Sequence, residues 1–196
     1  MMNTGQLDLE SALAAVGDLL TAEGKEIGIV VMGGTALNLL GLVKRTTQDV
    51  DVVALREPSS TEAELSLRPP DPLPESLIRA IQRVARDFGF PENWMNTAAS
   101  LQWKDGLPPG LEDRLEWKKY GGLHVGLVSR YDLIFFKLYA AVDSGPKSVH
   151  YQDLLALRPS KEELQEAAAW VRTQDVSEGF QQMLDQALTQ VAQDVD

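Results

Sequence analysis

The sequence predicts an α/β (α+β) fold, with a small mixed sheet and flanking helices over about residues 1–128 and a C-terminal helical region over 129–196. Three observations carry this expectation. Two short runs rich in β-branched residues, Ile27 to Met32 and Asp49 to Leu55, alternate with stretches of helical period. Gly121-Gly122 separates two further strand-like runs, Leu115 to Tyr120 and Leu123 to Val128, as in a hairpin. From Ser129 onward, helical spacing follows two S-x-x-[DE] starts, Ser129 with Asp132 and Ser160 with Glu163.

Each element has its own local reason. Leu7, Leu9, Leu13, Val16 and Leu20 recur near a helical period, and Gly24 supplies a stop. Ile27 to Met32 has no polar alternation, so it reads as a strand covered on both faces, ended by Gly33-Gly34. Thr35 to Leu40 is a short helix with Thr35 near its N-cap and Gly41 past its end. The strand DVDVVAL follows. Residues 56–74 are polar and proline-rich, an inserted loop, and Pro74 suits the first turn of a helix over 75–89. Between Pro91 and Pro109 no period is visible.

Composition narrows the chemistry. With 196 residues, 44% apolar and 24% charged, the chain can bury a core. The absence of cysteine excludes disulfides, thiolate catalysis and cysteine-bound zinc. His124 and His150 are too few and too far apart for a histidine metal centre, so a metal would be held by oxygen, which points to Mg2+ or Mn2+. A net charge of -11 excludes binding nucleic acid through a general basic surface. Residues 77–137, with nine bases and seven acids, leave room for a local anion-binding surface, whereas 161–196 hold two bases and eight acids. No apolar run approaches a membrane span and the N-terminus lacks signal-peptide features, so the expectation is a cytoplasmic protein with no membrane partner.

The sharpest constellation is Gly33-Gly34-Thr35 followed by Asp49-Val50-Asp51. Residues two apart on a strand share a face, so Asp49 and Asp51 present two carboxylates that can share divalent cations. The glycines stand where a strand gives way to a helix, and their missing side chains let backbone N–H groups approach a phosphate. Two acids opening the buried strand VVAL need compensation, which a metal would provide. Neither GxxxxGK[ST] nor GxGxxG occurs, which excludes a P-loop and a dinucleotide fingerprint. Lys137 is the one charged residue in LIFFKLYAAV, and it either snorkels or meets an anion. Trp94, Trp103, Trp117 and Trp170 read as core or interface residues, His124 as structural, and Arg79, Arg83 and Arg86 as a solvated stripe.

The segment VMGGTALNLLGLVKRTTQDVDVVAL resembles the signature of the nucleotidyltransferase superfamily related to DNA polymerase beta. Its GGTAL and R-x-T-x-D-x-D strings, with Arg45, Thr47, Asp49 and Asp51, are most similar to the bacterial branch containing AbiEii-type abortive-infection toxins. That resemblance implies a nucleotidyltransferase-like core and transfer of a nucleoside monophosphate from a nucleoside triphosphate to an acceptor, which the sequence leaves open among RNA, protein and a small molecule. Asp49 and Asp51 would bind the metal, Gly33, Gly34 and Thr35 the phosphates, and Lys137 and Asp153 would complete the catalytic set. A toxin role would add an antitoxin as partner. Members related to polymerases carry a third carboxylate on a later strand, yet LHVGLV has no acid. Glu116 is the assigned third metal ligand, with Asp113 and Asp153 as alternatives. The competing expectation is a catalytically silent protein of the same fold that binds a nucleotide or a partner.

Overall fold

The computed structural model describes residues 4–44, 47, 49–58 and 65–194, with the side chains of 4–8 and 104 left aside. Arg45 and part of the 56–74 insertion therefore lie outside the described residues. The fold is α+β, and the chain divides into two compact units, Met1–Lys104 with Gly110–Val128, and Asp105–Pro109 with Ser129–Asp196.

The first unit is built on a six-stranded mixed sheet. Its strands are β1 (Ile27–Met32), β2 (Val50–Arg56), β3 (Leu67–Arg68), β4 (Met95–Asn96), β5 (Glu116–Tyr120) and β6 (Leu123–Leu127). They run in the order β3-β2-β1-β6-β5, and β4 also pairs with β2. The predicted hairpin forms between β5 and β6, and β6 then lies parallel to β1, which places β1 in the middle of the sheet. Helices α1 (Thr4–Ala22) and α3 (Glu75–Phe88) cover one face. Leu13, Val16 and Leu20 of α1 and Leu77, Ile81 and Val84 of α3 join Ile29, Leu55 and Val125 of the sheet in one apolar core. Two central strands covered on both sides explain the apolar runs of β1 and β2, because no position of Ile29 to Val31 or Val52 to Leu55 reaches water.

Two details depart from the sequence expectation. Helix α2 spans Gly33–Leu39, so the glycine pair opens the helix itself and Met32, rather than Thr35, occupies the N-cap. Thr35 is fully buried and spends its hydroxyl proton elsewhere, as described below. The 56–74 insertion is also not loop alone, since Leu67 and Arg68 pair with Arg56 and Leu55 as an edge strand.

Helix α1 meets the hairpin through backbone. The Gly122 N–H donates to the Gly17 carbonyl at 3.0 Å, and a Cβ on Gly17 would fall 1.6 Å from the Tyr120 carbonyl oxygen. A side chain at Gly17 is therefore excluded without moving the helix. A short helical turn α4 (Gln102–Asp105) follows a 3-10 turn over Ala98–Leu101.

The second unit is helical, with α5 (Arg130–Ser144), α6 (Val149–Ala156), α7 (Lys161–Gln174) and α8 (Glu178–Asp194). Ser129, Ser148 and Ser160 each accept a first-turn N–H, and Ser160 with Glu163 forms a complete capping box. Arg130 ties the start of α5 to the α6–α7 turn, donating to the carbonyls of Leu157 and Arg158 and to the Glu163 carboxylate at 2.7 Å. Trp170 packs on Phe135, Phe136 and Tyr139, which closes the core of this unit.

Candidate active site

The residues of the first unit's candidate site meet at one end of β2. Asp51 is the second residue of that strand, opposite Met32 of β1 on one side and Asn96 of β4 on the other. It is half-buried. Gly33 follows Met32 directly, with φ +68, and a Cβ added there would lie 2.6 Å from Asp51 Oδ2. Glycine is thus required twice, once by the backbone and once by the carboxylate pressed against it. The sequence pair GG…DxD becomes a physical contact between the start of a helix and an acid on the adjacent strand.

Asn96 orients that acid. Its Oδ1 accepts the Ala98 N–H at 3.0 Å, so its amide nitrogen faces Asp51 and donates to Oδ1 at 3.3 Å. Nothing in the sequence around Asn96 marks it as a site residue. The only signal was Trp94-Met95 between two proline-bounded turns, too short for any period.

Asp49 precedes β2 and is exposed. The buried Thr35 hydroxyl donates to the Asp49 carbonyl at 2.5 Å, and the Thr47 hydroxyl donates to the Asp49 carboxylate at 2.8 Å. Thr35 therefore holds Asp49 through its backbone. Asn38 steadies the same helix by donating to the Gly34 carbonyl at 3.0 Å. Gly33, Gly34, Thr35, Asp49 and Asp51 are all brought to this one end of the sheet.

Glu116 is not. It lies on β5, three strand spacings from β2, about 14 Å at ~4.8 Å per strand. Its side chain is exposed opposite Leu127. Strand order, which sequence does not reveal, separates it from Asp51. Asp113 sits in a 3-10 turn, also exposed. Among the described residues no group of three or more His, Asp or Glu side chains is placed to hold a metal ion. The donors at this end of the sheet are two carboxylates with an amide beside them. An oxygen set with only one or two carboxylates fits magnesium, which keeps several waters and takes further ligands from substrate phosphates.

In the second unit, Lys137 of α5 and Asp153 of α6 form an ion pair at 2.7 Å with side chains 5% and 4% exposed. The lysine does not snorkel. Its anion is Asp153, which is itself buried rather than on an exposed helix face. Trp94 and Trp170 are buried, Trp94 donating its indole N–H to the Ile81 carbonyl, while Trp103 donates to the Val53 carbonyl. Arg79 and Arg83 are exposed and pair with Glu23 and Asp87, as a solvated stripe would.

A mixed sheet whose central strand runs into a glycine-opened helix, with an acid of the next strand packed on the first glycine, is the arrangement that the nucleotidyltransferase resemblance implies. The chain belongs to a family of nucleotidyltransferases of unknown function (DUF6036), whose model matches residues 9–169. That span includes the glycine pair, both aspartates, Lys137 and Asp153. Membership makes a nucleotide the substrate class. Neither a curated protein nor a solved structure matches the chain. Among the described residues no helix is long and apolar enough to cross a membrane.

Proposed function

We propose that the protein is a magnesium-dependent enzyme that transfers a nucleoside monophosphate from a nucleoside triphosphate to an RNA or protein acceptor, releasing pyrophosphate. The observation that carries this reading is the contact of Asp51 with Gly33, which sets a metal-binding carboxylate beside backbone able to approach a phosphate. Asp49 and Asp51 would hold Mg2+ or Mn2+, which when bound neutralises phosphate charge and orients the triphosphate for in-line attack on its α-phosphorus. Asn96 fixes the direction of the Asp51 carboxylate, while Thr35 and Thr47 fix Asp49 by backbone and side chain. Gly33 and Gly34 offer a surface with no side chain to keep the phosphates away. Lys137 is assigned the neutralising of developing charge and Asp153 the positioning of Lys137, an assignment supported by their direct pairing and by the resemblance of the K-L-x-A helix and the D-L pair. The similarity to AbiEii-type toxins supports a role as the toxin of a toxin–antitoxin pair.

Incubation with each of four labelled nucleoside triphosphates, Mg2+ and a cell extract tests the activity. The expected result is a labelled macromolecule that disappears in Asp51→Asn. No label with any nucleotide, in Mg2+ or Mn2+, overturns it.

The two-carboxylate donor set favours one second reading, a silent member that binds a partner. Calorimetry with triphosphates separates the two. The enzyme reading requires nucleotide affinity that depends on metal, and the silent partner-binding reading requires none.

A further inference from the structure

The far end of the same strands carries a second polar cavity. Register places Gly28 of β1 opposite His124 of β6, and His124 opposite Lys119 of β5. Arg56 completes the row from β2, its Cβ only 2.7 Å from where a Gly28 Cβ would stand. Glu26, Glu57, Arg68 and Pro74 close around this row to leave a cavity of about 430 Å³. Asp51 and Arg56 are five residues apart on β2, about 17 Å at ~3.3 Å per residue, so this cavity is separate from the aspartate site.

Glycine makes the floor. At Gly28 the missing side chain lets the Arg56 stem lie across β1, and at Gly126 it admits the Trp117 ring, 3.0 Å from where a Cβ would be. The Arg56 guanidinium then sits 5.8 Å from the Trp117 ring centre. Among the described residues, three cations line the cavity against two carboxylates, a locally positive lining in a chain of net charge -11. Arg68 and Lys119 reach their glutamates only at 3.9 and 3.4 Å, longer than the roughly 2.7–2.9 Å of a tight charge-assisted bond. His124 stands mid-row in the lining, and its Nε2, turned away from solvent, has no hydrogen-bond partner among the described residues.

We propose that this cavity binds a tetrahedral dianion, a phosphate free or in a small ester, with Arg56, Arg68 and Lys119 as its cationic ligands and His124 as a floor that takes up a proton on binding. Without an anion, burial and then the neighbouring Lys119 hold the imidazole below its ordinary 6.5, with Arg56 adding to the effect and Glu26 opposing it. Among the described residues, Glu57 and Arg68 are the other charged groups that line the cavity. A bound dianion reverses the local field and draws a proton onto the ring. The volume lies within the roughly 300–1,000 Å³ range of small-molecule sites.

Titration calorimetry on the full chain in EDTA, with Asp51→Asn as the background, keeps metal-borne phosphate out of the other site. Inorganic phosphate should bind there at one equivalent, and Arg56→Met, which keeps the stem over Gly28, should weaken it about tenfold, with Arg56→Lys recovering part of the loss. Glucose 6-phosphate binding at least as tightly as inorganic phosphate would identify the ester as the form taken, and weaker binding the free ion. Sulfate, whose charge does not change with pH, should bind about threefold tighter at pH 6 than at pH 8, and the difference should vanish in His124→Gln. Non-saturating heats, equal binding in Arg56→Met, or a sulfate affinity equally pH-dependent in His124→Gln would overturn the proposal.

Discussion

Gly33 and Gly89 form a matched pair that separates backbone strain from the contact with Asp51. Their φ values are +68 and +70, so alanine at either position meets the same left-handed penalty, about 1–2 kcal/mol. The surroundings differ. A Cβ at Gly89 has nothing within 4 Å, whereas one at Gly33 would lie 2.6 Å from Asp51 Oδ2, which must retreat about 0.8 Å to restore a 3.4 Å contact. The carboxylate end of a flexible side chain can retreat at little cost in stability, although its bond with Asn96 at 3.3 Å is then lost. A magnesium site tolerates such a shift poorly, because its metal–oxygen distances are held to about 0.2 Å. Gly33→Ala and Gly89→Ala should therefore lose similar unfolding free energy in urea, each about 1–2 kcal/mol. Calorimetry with a triphosphate and Mg2+ should show binding abolished in Gly33→Ala and retained in Gly89→Ala. Parental binding by Gly33→Ala would refute the reasoning, since Asp51 pressed against Gly33 would then not be what holds the metal.

Other perturbations probe the rest of the molecule. Asn96→Asp places a second acid against Asp51, so it should lower the melting temperature in EDTA and raise it more than the parent's on adding Mg2+; equal Mg2+ responses would remove Asn96 from the site. Lys137→Met leaves Asp153 buried without its cation and should cost about 3–5 kcal/mol in denaturant, most of it recovered in Lys137→Met with Asp153→Leu. If the single variant is as stable as the parent, the pair is not buried as described. Glu163 is held below its ordinary 4.5 chiefly by the Arg130 guanidinium. The unfolded chain then takes up that proton first as pH falls, so stability present above pH 4.5 is lost on acidification through the lower folded value. Melting curves of Glu163→Gln should fall less steeply with acid than the parent's, and parallel curves would count against the Arg130 clamp.

How much of this was legible follows from the range of each interaction. The strand that carries Asp51 and the caps at Ser129 and Ser160 are local patterns that the sequence alone places correctly, whereas the glycine pair opens a helix and Asp49 stands just before the strand. Glu116 fails as a third ligand because its distance from Asp51 depends on strand order, with β1 and β6 lying between β5 and β2. Asn96 escapes because β4 is two residues long and exists only by pairing with β2. Thr35 reads as a cap since threonine favours that position, yet the Asp49 carbonyl fourteen residues on takes its hydroxyl. For Lys137, the sequence shows that a cation in an apolar helix needs an answer but not which acid gives it. Asp153 lies sixteen residues away on the next helix. Without Asp153 in view, Lys137→Met reads as neutral for stability; with it, the same change strands a buried charge.

The parallel pairing of β1 with β6 sets a timetable for synthesis. β1 is complete at Met32, but the strand that covers its open side ends only at Leu127, and the carbonyl of Gly17 waits for Gly122 to supply its partner. Until some 95 further residues have left the ribosome, the most apolar strand of the protein has an uncovered edge, the kind that recruits strands from other chains. The hairpin of β5 and β6 arrives as the closing piece, so a chain cut short before Leu115 would carry both aspartates and the glycine pair yet leave that edge bare.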